Sequence, residues 1–118
     1  MIGIIAGSGY YELPGLLQRK DELFTNEYGQ ATVSMGTWDS IPIAFVARHG
    51  GDHSIPPNAI NYRANIKSLA DLGVESVFAV NVVGSMVAGR GPGSLFVVDD
   101  FIEFTQGRQC TFFDRPGE

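Results

Sequence analysis

The apolar residues of this chain are grouped in short runs that alternate with glycine-rich or polar stretches. Runs of about four to eight apolar residues between turn residues are typical of buried strands. On this pattern we expect strands at residues 2–6, 31–36, 41–47, 76–82 and 95–99. The second and third are joined at Asp39 and Ser40. So short a link cannot carry a crossover, and this pair should therefore be antiparallel.

One stretch between the strands has the spacing of a helix. After Pro56 and Pro57, apolar residues recur three and four positions apart up to Gly73, which fits a helix C-terminus. The polar segment 21–29 is expected to be a connection without regular structure. A strand, a helix and a strand in succession indicate a right-handed crossover and parallel strand pairs. The predicted fold class is α/β, with three layers and a mixed, mostly parallel sheet flanked by helices.

Composition and charge exclude several classes of function. Hydrophobic residues make up 44% of the chain and charged residues 18%, as in a globular α/β protein. The net charge of −5, with eight Lys and Arg in all, argues against nucleic-acid binding. A single cysteine, Cys110, excludes an internal disulfide framework and suits a reducing compartment. No apolar run follows a basic leader or approaches the length of a membrane span, so we expect a cytoplasmic protein without a membrane partner.

Three of the expected strands end in residues that can hold an anion. The strand at 41–47 runs directly into Arg48 and His49. The first strand breaks into Gly7-Ser8-Gly9, and the strand that starts at 76 leads to Gly84-Ser85. Small residues let backbone N–H groups approach a phosphate, and a guanidinium offers a planar fork of donors. The sequence therefore predicts an oxyanion site where these strands end.

Each of these features also has a structural alternative. Arg48 could pair with an acidic residue, and Ser8 could serve only the backbone turn. The segment that begins at Gly7 mimics a dinucleotide fingerprint, but Glu12 stands where its third glycine is needed. His53 lies four residues after His49, a metal-ligand spacing on a helix, yet the glycines between them disfavour a helix. No metal site is predicted.

Taken together, these segments resemble the trimeric nucleoside phosphorylase family, most closely its methylthioadenosine and methylthioinosine phosphorylase branch. The resemblance rests on segments in the same order and spacing: Gly3–Gly9, Ala47–Gly50 with His53, Asn61–Asn65, Asn81–Ser85 and Val97–Asp99. Members of that family are much longer. The resemblance thus implies that residues 1–118 are the N-terminal portion of a single nucleoside phosphorylase domain.

The resemblance also implies roles for particular residues. His53 would lie on the ribose side of the pocket, and the catalytic and purine-binding residues would belong to the other half of the domain. No cofactor is implied, because inorganic phosphate is the co-substrate. His49 would contact that phosphate through a ring N–H. The full set implied to bind phosphate is Ser8, Arg48, His49, Asn81 and the main chain at Val82.

The activity implied is phosphorolysis of a purine nucleoside or 5'-methylthionucleoside by a homotrimer. The products are the free purine base and ribose 1-phosphate or its 5-methylthio analogue, and the segment alone is expected to be inactive. Two alternatives remain open on the residues themselves. One is a non-catalytic anion- or nucleotide-binding module on the same fold, and the other is a purine nucleoside hydrolase.

Overall fold

A computed structural model of the chain describes residues 1–114 and 116–117. The described elements are five strands, a short 3-10 turn and one α-helix. The strands form a single sheet in the order β2-β3-β4-β1-β5. The bounds in chain order are β1 Ile2–Ala6, β2 Leu17–Asn26, β3 Gly29–Trp38, β4 Ile41–Ala47, the 3-10 turn Pro57–Ala59, α1 Tyr62–Asp71 and β5 Ser76–Val80.

Strand β1 lies between two parallel neighbours. Its register pairs Ile2 with Ile43 of β4 and with Ser76 of β5. Strands β3 and β4 are antiparallel, as are β2 and β3. The expected mixed sheet is confirmed. Of the described strand pairings, two are parallel and two are antiparallel. Because β1, β4 and β5 run the same way, their carboxyl ends share one edge of the sheet.

The turn between β3 and β4 has the form that the short link predicts. Asp39 and Ser40 both have positive φ, at 48° and 66°. Two successive left-handed residues make a type I′ turn, whose twist matches that of an antiparallel pair. The predicted hairpin is confirmed.

The prediction of an irregular connection at residues 21–29 is wrong. Most of this segment belongs to β2, the outer strand of the sheet, which continues through a turn into β3. Its first half carries exposed ion pairs, Arg19 with Asp21 and Lys20 with Glu22. Charged side chains are common on edge strands, where they discourage pairing with other chains. The polar composition therefore reflects an edge position.

The predicted helix and its end at Gly73 are confirmed by α1. At the start, the Asn61 side chain accepts a hydrogen bond from the backbone N–H of Ala64 at 3.0 Å. It also donates to the carbonyl of Tyr28 at 2.6 Å, which ties the helix to the β2–β3 turn. At the other end Gly73 adopts φ 75°, the left-handed conformation that ends many helices.

Replacing Asn61 by alanine should lower the free energy of unfolding by about 1–2 kcal/mol, because the helix loses its cap and the turn loses a donor. Asn61→Asp keeps the acceptor and loses the donor, so it should lower the free energy of unfolding by less than Asn61→Ala does. Urea unfolding of the full-length protein would measure both. Asn58→Ala, at an exposed position in the 3-10 turn, is the matched control. A loss as large in the control as in Asn61→Ala would contradict the capping role.

Two apolar clusters lie on opposite faces of the sheet. The helix packs on one face, where the buried cluster is Ile5, Val33, Ala44, Val46 and Leu69. On the other face the buried residues are Ala6, Ile43 and Phe45, with Leu13 and Leu16 packed against them. The central strands β1 and β4 contribute to both clusters, so the sheet edge where they end is firmly positioned.

Nearly all described residues from β5 onward are exposed. Phe78, within β5, is 61% exposed, and the described residues after Val80 form no helix or strand. The prediction of a strand at 95–99 is wrong: Leu95 and Val97 are 91% and 95% exposed. A strand needs a neighbour to pair with, and the described part of the chain places none beside these residues.

The total exposed surface is large for a chain of this size. It amounts to 8739 Å², whereas a compact protein of 118 residues exposes about 6,200 Å². Much of the excess is apolar and lies on β5 and the segment that follows it. Such continuous apolar surface is normally covered in a folded protein.

The last described segment returns to the helix. Arg63 of α1 donates to the side chains of Gln109 and Asp114 and lies 4.8 Å over the ring of Tyr28. Phe112 meets that same ring edge-on at 5.2 Å. Arg63 therefore anchors the segment against the start of α1. No described helix has the length and apolar character needed to cross a membrane.

Candidate functional site

The guanidinium of Arg48 joins the ends of three parallel strands. Arg48 follows β4 directly, and its backbone N–H donates to the carbonyl of Ala6, at the end of β1, at 3.0 Å. Its Nη1 donates to the carbonyl of Val80, at the end of β5, at 3.1 Å. The side chain thus reaches from its own strand across β1 to the far neighbour. The predicted convergence of these strand ends is present in the fold.

Gly7 lies where the guanidinium of Arg48 crosses the end of β1. A Cβ placed on Gly7 would lie 2.0 Å from Nη2 and 2.4 Å from Cζ of Arg48. The guanidinium lies directly against the Gly7 backbone, so any added Cβ would force the end of the Arg48 side chain to shift. The first glycine of Gly7-Ser8-Gly9 therefore has a steric role tied to Arg48.

Most donors of Arg48 stay available to a ligand. A guanidinium has five N–H donors in a planar fork. Among the described residues, only the Val80 carbonyl accepts from this side chain, and no carboxylate there pairs with it. The alternative of a simple surface salt bridge finds no partner in that part of the chain. An anion would meet an uncompensated positive charge.

Ser8 lies at the same edge, one residue beyond Gly7. The turn closes with a hydrogen bond of 3.1 Å from the Tyr10 N–H to the Gly7 carbonyl, and Gly9 takes φ 89°. The Ser8 side chain is exposed. Ser8 therefore directly follows the glycine against which the Arg48 guanidinium lies, and phosphate binding by Ser8 remains a prediction.

His49 is buried and held by a closed loop. The residue is 6% exposed, and its Nδ1 lies 2.9 Å from the carbonyl oxygen of Ile55. The N–H of Ile55 donates back to the carbonyl of His49 at 2.9 Å. Two hydrogen bonds thus close the neck of the loop between these residues, and within it Gly50 adopts φ 79°.

His53 projects from that loop towards two other rings. Its centroid lies 5.0 Å from that of His49 and 5.3 Å from that of Tyr11, which it meets edge-on. The backbone of His53 has φ 59°, a conformation that costs a residue with a Cβ free energy. Strain of this kind is common at functional sites. The ribose-side role of His53 remains a prediction.

The free energy of unfolding of His53→Gly should exceed that of His53→Ala by about 1 kcal/mol. Both variants lose the ring, but only glycine relieves the strain of the left-handed backbone. Denaturant unfolding of the two full-length variants measures the difference. Gly51→Ala serves as a control, since its added Cβ meets nothing within 4 Å and its φ is not left-handed. Equal stability of the two His53 variants would show that the conformation is not strained.

Tyr11 was not among the sequence-based candidates. It lies beyond the Gly7-Ser8-Gly9 turn, and only its proximity in sequence to that turn could have suggested a role. The structure places it against His53 and in the wall of a cavity of about 580 Å³ that Arg48 and Gly50 also line. Ser8, His49 and Asn81 do not line that cavity. It therefore shares Arg48 with the candidate site without coinciding with it.

Asn81 and Val82 directly follow Val80, whose carbonyl accepts the hydrogen bond from Arg48. Both are exposed, Val82 at 74%, and neither lies within a strand. Their position at the carboxyl end of β5 puts them on the predicted edge. Contact of either residue with an anion remains a prediction.

The loop also carries one acidic residue. The hydroxyl and the backbone N–H of Ser54 donate to the Asp52 carboxylate and hold its pKa below the usual range. Asp52 therefore stays ionised, but it is exposed and solvent screens its charge. The described residues contain no group of three or more His, Cys, Asp or Glu side chains placed to hold a metal ion.

The arrangement of these strand ends can be compared with known proteins. A family model described as the phosphorylase superfamily matches residues 1–117. The chain belongs to the phosphorylase superfamily. Its recognition as a relative of purine and methylthioadenosine phosphorylases is confirmed by this match and by the curated relatives.

Curated relatives with different substrates in their names are about equally similar. The 6-oxopurine nucleoside phosphorylase of Pyrococcus furiosus is 44% identical over 113 residues, which are 96% of this chain and 42% of that protein. The S-methyl-5'-thioadenosine phosphorylase of the same organism is 43% identical over 118 residues, covering 98% of this chain and 45% of its own length. A probable S-methyl-5'-thioinosine phosphorylase of Methanocaldococcus jannaschii is 47% identical over 114 residues, 97% of this chain and 44% of that protein.

Solved structures of methylthioadenosine phosphorylases share the fold of this chain. Methylthioadenosine phosphorylase from Schistosoma mansoni in complex with tubercidin superposes with a TM-score of 0.89 at 36% identity, covering 98% of this chain and 41% of that one. The α/β nucleoside phosphorylase fold is thereby confirmed for the part of it that this chain covers. The chain spans less than half the length of the relatives it matches.

Proposed function

We propose that this chain supplies the phosphate site of an enzyme that cleaves purine nucleosides with inorganic phosphate. The reaction yields a free purine base and ribose 1-phosphate, or 5-methylthioribose 1-phosphate when the 5' carbon carries a methylthio group. The observation that carries the proposal is the Arg48 guanidinium, fixed across three strand ends by the Val80 carbonyl and by Gly7. The names of the relatives support the reaction class.

The chemistry follows from the position of the anion. A phosphate oxygen attacks the anomeric carbon as the bond from that carbon to the purine nitrogen breaks, and the bonding electrons leave with the purine. The transition state has oxocarbenium character, so a phosphate held close to the sugar stabilises the developing positive charge. Arg48 would bind two phosphate oxygens through its fork, with Ser8 and the main chain at Val82 as further donors.

The other parts of the pocket lie outside the described site. Residues that receive the purine and its proton would come from the remaining length of the protein, and His53 with Tyr11 would face the sugar. We propose a homotrimer in the cytoplasm that uses inorganic phosphate and requires no cofactor. The choice between 5'-methylthio and 5'-hydroxyl substrates stays open, because relatives of both kinds are 43–47% identical to the chain.

An assay for base release tests this proposal. A full-length protein carrying these residues would be given methylthioadenosine, methylthioinosine and inosine, each with and without phosphate. We expect base release only with phosphate, and one equivalent of pentose 1-phosphate for each base. Release without phosphate would identify a hydrolase, and binding without turnover of any nucleoside would identify a non-catalytic module.

A further inference from the structure

We infer that Tyr11 is a positioning residue, whose ring holds His53 and the loop from His49 to Ile55 against the turn that follows β1. The inference rests on the proposed function, because this loop forms part of the cavity wall beside Arg48. It adds to that function a residue that acts through its ring. The hydroxyl of Tyr11 forms no hydrogen bond with a described residue.

The backbone of His53 adopts a conformation that needs support. Its φ is 59°, and its N–H donates to the Gly50 carbonyl at 3.2 Å. For a residue with a Cβ, the left-handed conformation is disfavoured by about 5- to 30-fold in population. Such a conformation persists only where its surroundings hold it. Contacts of the His53 side chain can supply that support.

Two rings lie close to the imidazole of His53. The His49 ring is 5.0 Å away, centroid to centroid, and belongs to the same loop. The Tyr11 ring is 5.3 Å away at an interplanar angle of 74°, and it comes from the segment after β1. An aromatic pair with this edge-on geometry shifts a population by about 3- to 10-fold. The contact from Tyr11 therefore offsets much of the preference against the left-handed backbone.

The loop held in this way borders the cavity of about 580 Å³. Gly51 and Ser54 of the loop line that cavity together with Tyr11 and Arg48. A loop that relaxes would therefore change the wall that faces this space. The guanidinium of Arg48 is fixed separately, by its hydrogen bond to the Val80 carbonyl. We expect the loop to affect nucleoside binding more than phosphate binding.

Steady-state kinetics of the full-length Tyr11→Leu variant, with nucleoside and phosphate varied in turn, test the inference. Loss of the ring should raise the KM for the nucleoside about 3- to 10-fold and leave the KM for phosphate within about two-fold. Tyr11→Phe keeps the ring and should restore the nucleoside KM. Equal increases in both KM values, or a Tyr11→Phe variant as impaired as Tyr11→Leu, would overturn the inference.

Tyr10→Leu is the matched control. Tyr10 precedes Tyr11 and is similarly exposed, at 46% against 39%, and its ring contacts no ring or cation of a described residue. Its replacement should leave both KM values nearly unchanged. If Tyr11→Leu behaves as this control does, the ring of Tyr11 does not hold the loop.

A double-mutant cycle with His53→Ala separates positioning from direct contact with the nucleoside. If Tyr11 acts through the His53 ring, adding Tyr11→Leu to His53→Ala should change the nucleoside KM by less than about two-fold. Independent increases that multiply in the double variant would show that Tyr11 contacts the nucleoside itself, and the positioning role would be wrong.

Hydrogen exchange gives a readout that needs no activity. The backbone N–H groups of His53 and Ile55 donate within the loop. In Tyr11→Leu they should exchange about 3- to 10-fold faster than in the unaltered protein or in Tyr10→Leu. Unchanged exchange would remove the inference and leave the proposed function intact. If the unaltered protein releases no base with phosphate, the proposed function fails, and the exchange rates still decide whether Tyr11 holds the loop.

Discussion

Replacing Arg48 by alanine should raise the KM for phosphate about 100-fold or more and change the KM for the nucleoside far less. Two charge-assisted hydrogen bonds from a planar fork are lost, and each contributes about 1.5–3 kcal/mol. Arg48→Lys keeps the charge and loses the fork, so its KM for phosphate should lie between that of the unaltered protein and that of Arg48→Ala. Steady-state kinetics with each substrate varied in turn would measure the separate constants.

Arg19→Ala is the matched control for that experiment. Arg19 lies on the outer strand β2 and forms exposed ion pairs with Glu12 and Asp21, so its loss should leave both constants nearly unchanged. Equal increases in the two KM values for Arg48→Ala would remove Arg48 from the phosphate site.

Gly7→Ala should weaken phosphate binding about 10- to 100-fold although alanine adds a single methyl group. The new Cβ would lie 2.0 Å from Nη2 of Arg48, so the guanidinium must move by more than 1 Å to restore an ordinary contact of about 3.5 Å. That displacement breaks the hydrogen bond to Val80 and moves the fork away from the anion. The KM for phosphate and the thermal stability of the full-length variant would be measured together.

Gly51→Ala controls for the change from glycine to alanine near the site. A Cβ there meets nothing within 4 Å, and the backbone is not left-handed, so phosphate binding should be unaffected. If Gly7→Ala folds and binds phosphate as tightly as this control does, then the guanidinium does not rest on Gly7 in the working enzyme.

The central part of the fold was predictable from the sequence for a clear reason. Strands β1 and β4 are buried on both faces, and such strands appear as continuous apolar runs. The polar residues that follow them then mark the sheet edge, which is how Arg48 and Ser8 could be placed together. The hairpin at Asp39 and Ser40 followed from the length of the link alone.

Other features depend on neighbours that a local pattern does not contain. Strand β2 is polar because it lies at the edge, so its composition is that of a loop. The apolar run at 95–99 has the composition of a strand, yet no strand of the described chain pairs with it. The contact of Tyr11 with His53 and the hydrogen bond between His49 Nδ1 and the Ile55 carbonyl both depend on how loops fold back, and residue type does not reveal this.

The most direct test of the account is a crystal structure of the full-length protein grown with inorganic phosphate. The account predicts an anion within hydrogen-bond distance of the Arg48 guanidinium and the Ser8 hydroxyl, at the shared end of β1, β4 and β5. An anion bound elsewhere, with Arg48 and Ser8 facing separate openings, would contradict it.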